Sequence, residues 1–297
     1  MLHCRYLFAA IMLAASVMLA PSPAAAQAFD AEDEAQDAYV QGNLLFLTYH
    51  EVGHLLLDSL LRVDQRQQRL SAEEVADDIA TWLMLPDPDE PDQDEEIVAA
   101  MFGWLDSAEE NAEVARNPHY PDDAERAARI ACYLYGSNPT RYRELGRAFR
   151  NAVSSVNCQE EYEALHDDLE EWFHDFLVPP AAANGGRIRV SYAAAPPALE
   201  EARLYLIESQ ILEHAVRDIN QFIRLPHDVI LSAQSCGGGA AEFRYNPARR
   251  EITACYEAVA WFMGDAAEEV ASRPAGSAEE MGSGGARVKQ RPRPRPR

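Results

Sequence analysis

Two histidines four residues apart, with a glutamate directly after the first, stand in "LTYHEVGHLLLD" at residues 47–58. On an α-helix, residues four apart share a face. His50 and His54 therefore point the same way, and each can offer an imidazole nitrogen to one metal ion. Glu51 then lies beside that ion rather than on it, where its carboxylate can take a proton from a zinc-bound water. Gly53 leaves space on the metal side of the helix. The plain alternative is a leucine-rich core helix that happens to carry two histidines.

A catalytic zinc needs a third protein ligand and an open position. A histidine six residues past His54, after a glycine, is one way to supply it, but Leu57 and Leu60 occupy those positions. A glutamate from a following helix is the other. "EEVADD", residues 73–78, begins 19 residues beyond His54. Glu73 and Asp77 are four apart and share a face, as do Glu74 and Asp78. Glu73 as ligand, with Asp77 behind it accepting a hydrogen bond from a ligand histidine, is a workable arrangement. Glu74 is the competing ligand, and Asp58, one turn after His54, can support a histidine as Asp77 does. The bland reading of this charge run is a solvated helix face. His119, in a turn, and Tyr245 and Tyr256 are candidate donors to a developing oxyanion. His166, His174, His214 and His227 fall on acidic or amphipathic helices or at a helix exit and read as structural.

These side chains need helices to carry them. The pattern is helical from Leu44 to about Leu61, and again after Ser71, an N-cap with Glu74 placed to complete a capping box. "PDPDEPDQDEE", residues 86–96, is a proline-broken acidic run that reads as a solvated loop; it lacks the glycine and spacing of a calcium loop. Helical texture returns at 97–116, from a cap near Asp122 to Gly136, and over about 140–153 and 159–177. "PPAAANGG" is a linker. "RIRVSYA" alternates as a strand does, a helix spans about Ala198 to Ile223, "HDVILSAQS" is strand-like, and "AEFRYNPARREITACYE" reads as a hairpin. An edge strand of that hairpin could hold an extended peptide by backbone pairing. Residues 29–40 are acidic and expected to fray; beyond Met263 the composition turns to a disordered tail, 264–297, with a basic, proline-rich end at 287–297.

The chain has 297 residues and a formal charge of -23, which argues against nucleic acid or an anionic membrane as the main partner. Residues 1–28 read as an export signal: His3 and Arg5, an apolar run from Leu7 to Ala20, prolines at 21 and 23, and the small-residue site Ala26-Gln27-Ala28. The run falls short of the roughly 20 residues that cross a bilayer. The expectation is an exported protein, periplasmic or secreted, starting at Phe29 with no stable membrane insertion. Four cysteines remain past the signal, an even number that suggests two disulfides in an oxidising compartment. Spacing alone does not give their connectivity; neighbours in sequence would pair as Cys132–Cys158 and Cys236–Cys255. A cysteine-rich zinc site is the weaker alternative, since no two form a CxxC pair.

"HEVGHLLLD" followed by "EEVADDIATWLML" resembles the bacterial metallopeptidases grouped as domain of unknown function 4344, whose pattern is HExGH…D followed by E-x-x-A-D. The resemblance spans most of residues 40–262. It implies His50, His54 and Glu73 as zinc ligands, Glu51 as base and Asp77 as the supporting acid. "RIACYLYGSNP" and Cys158 also match the family's segment after the metal helices. One departure stands out. A segment of the form LP…C…FY(D/N)P…I…CYE precedes the metal helix in that family, whereas "LPHDVILSAQSCGGGAAEFRYNPARREITACYE" follows it here, at 225–257. The chain thus reads as circularly permuted, which nearby termini permit. The family's asparagine after the first cysteine is absent from "CGGGAAEF".

The expectation is an α+β, zincin-like metallopeptidase, mostly helical, with a small antiparallel sheet from the C-terminal third. Residues 29–178 form its helical zinc-site region, and 179–263 a helix and hairpin that complete the same domain. One Zn2+ would activate a water with Glu51 to hydrolyse peptide or protein substrates. The competing reading is a catalytically silent, zinc-containing periplasmic binding or scaffold protein.

Overall fold

A computed structural model describes residues 23–60, 71–86, 94–110, 122–149, 156–174, 185–237 and 242–272. Its axis is a long helix, α1 (Pro23–Ser59). The helix begins ahead of Ala26 and runs through the acidic stretch 29–40 that the sequence suggests would fray. Packing holds the end of that stretch: Tyr39 and Val40 are buried, and Asp37 accepts hydrogen bonds from the Tyr205 hydroxyl (2.6 Å) and the Gln41 amide (2.7 Å). Along its C-terminal half α1 is buried on nearly every side, from Leu44 and Phe46 to Leu55 and Leu56.

Helices α2 (Ala72–Met84) and α3 (Glu95–Glu110) pack directly on α1. Both approaches use glycine. A Cβ added to Gly53 would lie 2.8 Å from the Cα of Ala76 on α2, and one added to Gly42 would lie 2.3 Å from the carbonyl oxygen of Glu96 on α3. Gly53 thus opens its space for a neighbouring backbone rather than for a metal. Gly53→Ala would force α2 away from α1, at a cost of about 1–3 kcal/mol. Urea denaturation of the metal-free protein measures this.

Helices α4 (Asp123–Ser137), α5 (Arg143–Ala148) and α6 (Cys158–Phe173) form an outer layer. Asp122 caps α4 in a full capping box with Glu125. A disulfide, Cys132–Cys158, joins α4 to α6.

The expected helix at Ala198–Ile223 is interrupted. After a 3-10 turn at Pro197–Leu199 come α7 (Glu200–Ser209) and α8 (Ile211–Phe222), separated by Gln210 in the left-handed conformation (φ 54°). No glycine or proline marks that break in the sequence. The chain ends its described part with α9 (Tyr256–Ser272), which continues past Met263 and packs on α1.

The sheet corrects an expectation. It contains β1 (Ile188–Tyr192), β2 (Val229–Gln234), β3 (Arg244–Asn246) and β4 (Glu251–Cys255), in the order β1-β2-β4-β3. It lies in the C-terminal third as expected but is mixed, not antiparallel. β1 pairs with β2 and β2 with β4 in parallel; only β3 and β4 are antiparallel. Parallel neighbours require a long crossover, and α7 with α8 supply one between β1 and β2. The hairpin then returns β4 into the gap beside β2, with β3 at the edge. The second disulfide, Cys236–Cys255, ties the end of β2 to the end of β4, where Gln234 and Cys255 are in register. Among the described residues no helix is long and apolar enough to cross a membrane.

Candidate active site

His50, on α1, is 6 % exposed, and His54 sits one turn further along the same face. Their Nε2 atoms are 3.1 Å apart. Glu73, in the first turn of α2, brings Oε2 to 3.3 Å from His50 Nε2 and 3.4 Å from His54 Nε2. Three donors from two helices thus form a nearly equilateral triangle. Bonds of 2.0–2.1 Å in a tetrahedral arrangement put neighbouring donors about 3.3 Å apart, so the triangle has the dimensions of one face of such a coordination sphere. Two nitrogens and one oxygen suit a divalent ion with nitrogen and oxygen ligands, and these three residues could hold one. His54 and Glu73 keep about a fifth of their side chains exposed, so the site opens on that side.

Glu74 is engaged elsewhere. Its carboxylate accepts the Ser71 N–H at 2.7 Å and its own N–H reaches the Ser71 hydroxyl, completing the capping box that starts α2. With Glu74 held in the cap, Glu73 is the carboxylate of this turn that faces the histidines.

Asp77 lies behind His50. His50 Nδ1 donates to Asp77 Oδ1 at 2.8 Å, which turns Nε2 toward Glu73. Asp77 is itself clamped by Arg126 of α4, whose Nε reaches Oδ2 at 2.7 Å and whose second nitrogen reaches Oδ1 at 2.6 Å. The guanidinium of Arg126 also lies 3.7 Å from the ring centre of Trp104 on α3. The next residue repeats the device: Arg129 binds Asp78 through two bonds of 2.6 Å, and the Tyr133 hydroxyl donates to the same carboxylate. Sequence reading does not reach Arg126 or Trp104. Two arginines three apart in "AERAARIA", opposite two adjacent aspartates that must be buried, are the signal that points to such a clamp.

Glu51 is 8 % exposed and accepts the main-chain N–H of Tyr245 at 2.6 Å. Burial pushes its carboxyl pKa up, against the pull of His50, His54 and the Tyr245 amide. Burial opposes the charged form of His50 too, but the hydrogen bonds to Asp77 and Glu73 outweigh it and its pKa is pushed up to about 9. Glu73 moves the other way. The two imidazoles hold it well below the usual carboxylate range in spite of its partial burial. Asp77 also stays low, because Arg126 and His50 outweigh its burial.

These shifts fix the sign of a pH effect. With its pKa raised to about 9, His50 is protonated at pH 7 in the metal-free protein and must lose that proton to become a ligand. About one proton is therefore released per ion bound at pH 7, falling toward none above pH 9. Calorimetric titration in two buffers of different ionisation enthalpy measures it.

Three candidates need correction. Asp58 does not back a histidine; it accepts the Tyr245 hydroxyl at 3.0 Å. That bond engages the Tyr245 hydroxyl, which therefore is not an oxyanion donor; the residue meets the site through its main chain instead. Tyr256 is fully buried, and its hydroxyl donates to the Ala193 carbonyl at 2.7 Å, so it belongs to the core. His119 lies outside the described residues. A second cluster, Cys236, Cys255 and Glu257, is not a metal site, because its cysteines form the disulfide and Glu257 accepts the N–H groups of Cys236 and Gly237.

A histidine pair one helical turn apart, a carboxylate from the next helix and a buried glutamate beside them are the equipment of a metal-dependent hydrolase. A family model described as "Putative metallopeptidase" matches residues 9–173 and 193–283, most of the chain, and the protein belongs to that family. Comparisons with curated proteins and with solved structures found no match.

Proposed function

We propose that the protein is an exported zinc metallopeptidase of zincin-like architecture that hydrolyses peptide bonds in peptide or protein substrates. The donor triangle of His50, His54 and Glu73, with Glu51 beside it, carries this reading. When bound, zinc supplies Lewis acidity, polarising the scissile carbonyl and acidifying water. Glu51 accepts the proton of the attacking water and passes it to the leaving nitrogen. Its raised pKa makes the carboxylate a stronger base than an exposed one, which suits a group that must take and return a proton. Asp77, held by Arg126, keeps the proton of His50 on Nδ1 and its Nε2 free. Two disulfides suit an oxidising compartment, and the segment 1–28 is the export signal that would take the chain there. The segment order is part of this reading, a circular permutation of the family's that keeps the hairpin beside the metal helix, where β3 contacts α1.

Elemental analysis of untagged protein, paired with a peptide-library cleavage assay with and without a chelator, tests the proposal. The expected result is one equivalent of zinc, and cleavage that the chelator abolishes and zinc restores. Glu73→Gln should lose the ion and Glu74→Gln retain it. Zinc binding with no cleavage of any peptide would leave the silent binding protein as the answer.

A further inference from the structure

Antiparallel pairing turns the N–H and C=O of alternate residues away from the partner strand. On the edge strand β3, Tyr245 is such a residue: its N–H goes to Glu51 Oε2 at 2.6 Å, away from β4. Outward-facing donors of an edge strand are ordinarily left to solvent or to another strand. Here a carboxylate of α1 takes one. Among the described residues this is the one hydrogen bond that the Glu51 carboxylate makes. Tyr245 grips α1 a second time through its hydroxyl, at 3.0 Å from Asp58 Oδ2. Glu51 and Asp58 are seven residues apart, two turns along one helix face.

We propose that Tyr245 is a positioning residue for Glu51. Its main-chain N–H fixes Oε2 and leaves Oε1 to receive the proton, while the hydroxyl bond to Asp58 keeps β3 within reach. The inference rests on the reading of Glu51 as the general base. It also changes what the β3 edge can do. The N–H with which an extended peptide would pair at position 245 is already taken by the helix.

Steady-state kinetics on the zinc-loaded full chain test it. Tyr245→Phe and Asp58→Ala, each of which removes the bond between the Tyr245 hydroxyl and residue 58, should each lower kcat roughly tenfold, since small displacements of a reacting group are costly. KM and zinc content should not move. The double variant should be no worse than either single one, because both break the same bond. A second reading needs no turnover. In protein labelled with 15N-tyrosine, the Tyr245 amide proton, assigned by its loss in Tyr245→Phe, should resonate far downfield as a charge-assisted donor and move upfield in Glu51→Gln. An unchanged kcat in Tyr245→Phe, a rise in KM alone, or an amide resonance unmoved by Glu51→Gln in an active enzyme overturns the positioning role and leaves the peptidase reading standing. A chain that cleaves nothing overturns both, and a moving amide would then mark only a structural contact.

Discussion

Glu51→Gln should lower peptide hydrolysis by about 10²–10⁴-fold while leaving the zinc content unchanged. The glutamine amide keeps the size of the side chain and still offers an oxygen to the Tyr245 N–H, so the helix and edge strand stay joined. What disappears is the ability to accept a proton. The three atoms of the donor triangle belong to other residues, so the ion should stay. Stability gives an internal control with a definite sign. A carboxyl whose pKa is raised in the folded state makes an unfavourable contribution to stability that is full above the folded value, shrinks as pH falls below it, and vanishes below the unfolded pKa. At pH 7 the neutral amide removes it, so the variant should melt at the same temperature as the parent or slightly higher. Lost activity with retained zinc and unchanged melting assigns the loss to chemistry. Undiminished cleavage by the variant would remove Glu51 from the mechanism.

Arg126→Ala should destabilise the protein by about 3–5 kcal/mol, the largest stability effect expected outside the hydrophobic core. Asp77 is buried, and its carboxylate holds both Arg126 and His50. Removing the guanidinium leaves a buried negative charge facing one imidazole, and leaves the face of Trp104 without the cation stacked on it. The same change loosens the residue that orients His50, so zinc affinity should fall by roughly 10–100-fold. Urea denaturation of the metal-free protein gives the first number and competitive zinc titration the second. The double variant Arg126→Ala with Asp77→Ala separates the causes. It should recover much of the stability, because the buried carboxylate that lost its guanidinium is gone as well, but none of the metal affinity. Equal losses in the single and double variants would mean that packing on Trp104, rather than charge, is what Arg126 contributes.

Local rules served well for caps and helix faces and less well for helix extents, since Gln210 breaks the expected helix and the last helix runs past Met263. Asp122 caps α4 and Ser71 caps α2 because a cap depends on residues within one turn of it. His50 and His54 face one another because four residues are only slightly more than one helical turn. All four strands lie where their alternation indicates, and the cysteines pair with their neighbours in sequence.

Relations between elements are a different matter. Strand periodicity says which face a residue occupies but not which strand lies alongside; the mixed sheet follows from a helical crossover and a returning hairpin that only the assembled fold joins. Glu73 and Glu74 are alike as residue types. The capping box claims one and the rotation of α2 on Gly53 turns the other to the histidines, which takes the packing of two helices to establish. Arg126 and Tyr245 reach Asp77 and Glu51 across 49 and 194 residues of chain. Hydrogen bonds over such separations leave no periodic trace in a sequence. The sequence by itself determined the chemistry available on α1 and α2, because it is written in residue types and short spacings. The tertiary structure decided how each of those groups is held, because that depends on which distant parts of the chain the core brings against them.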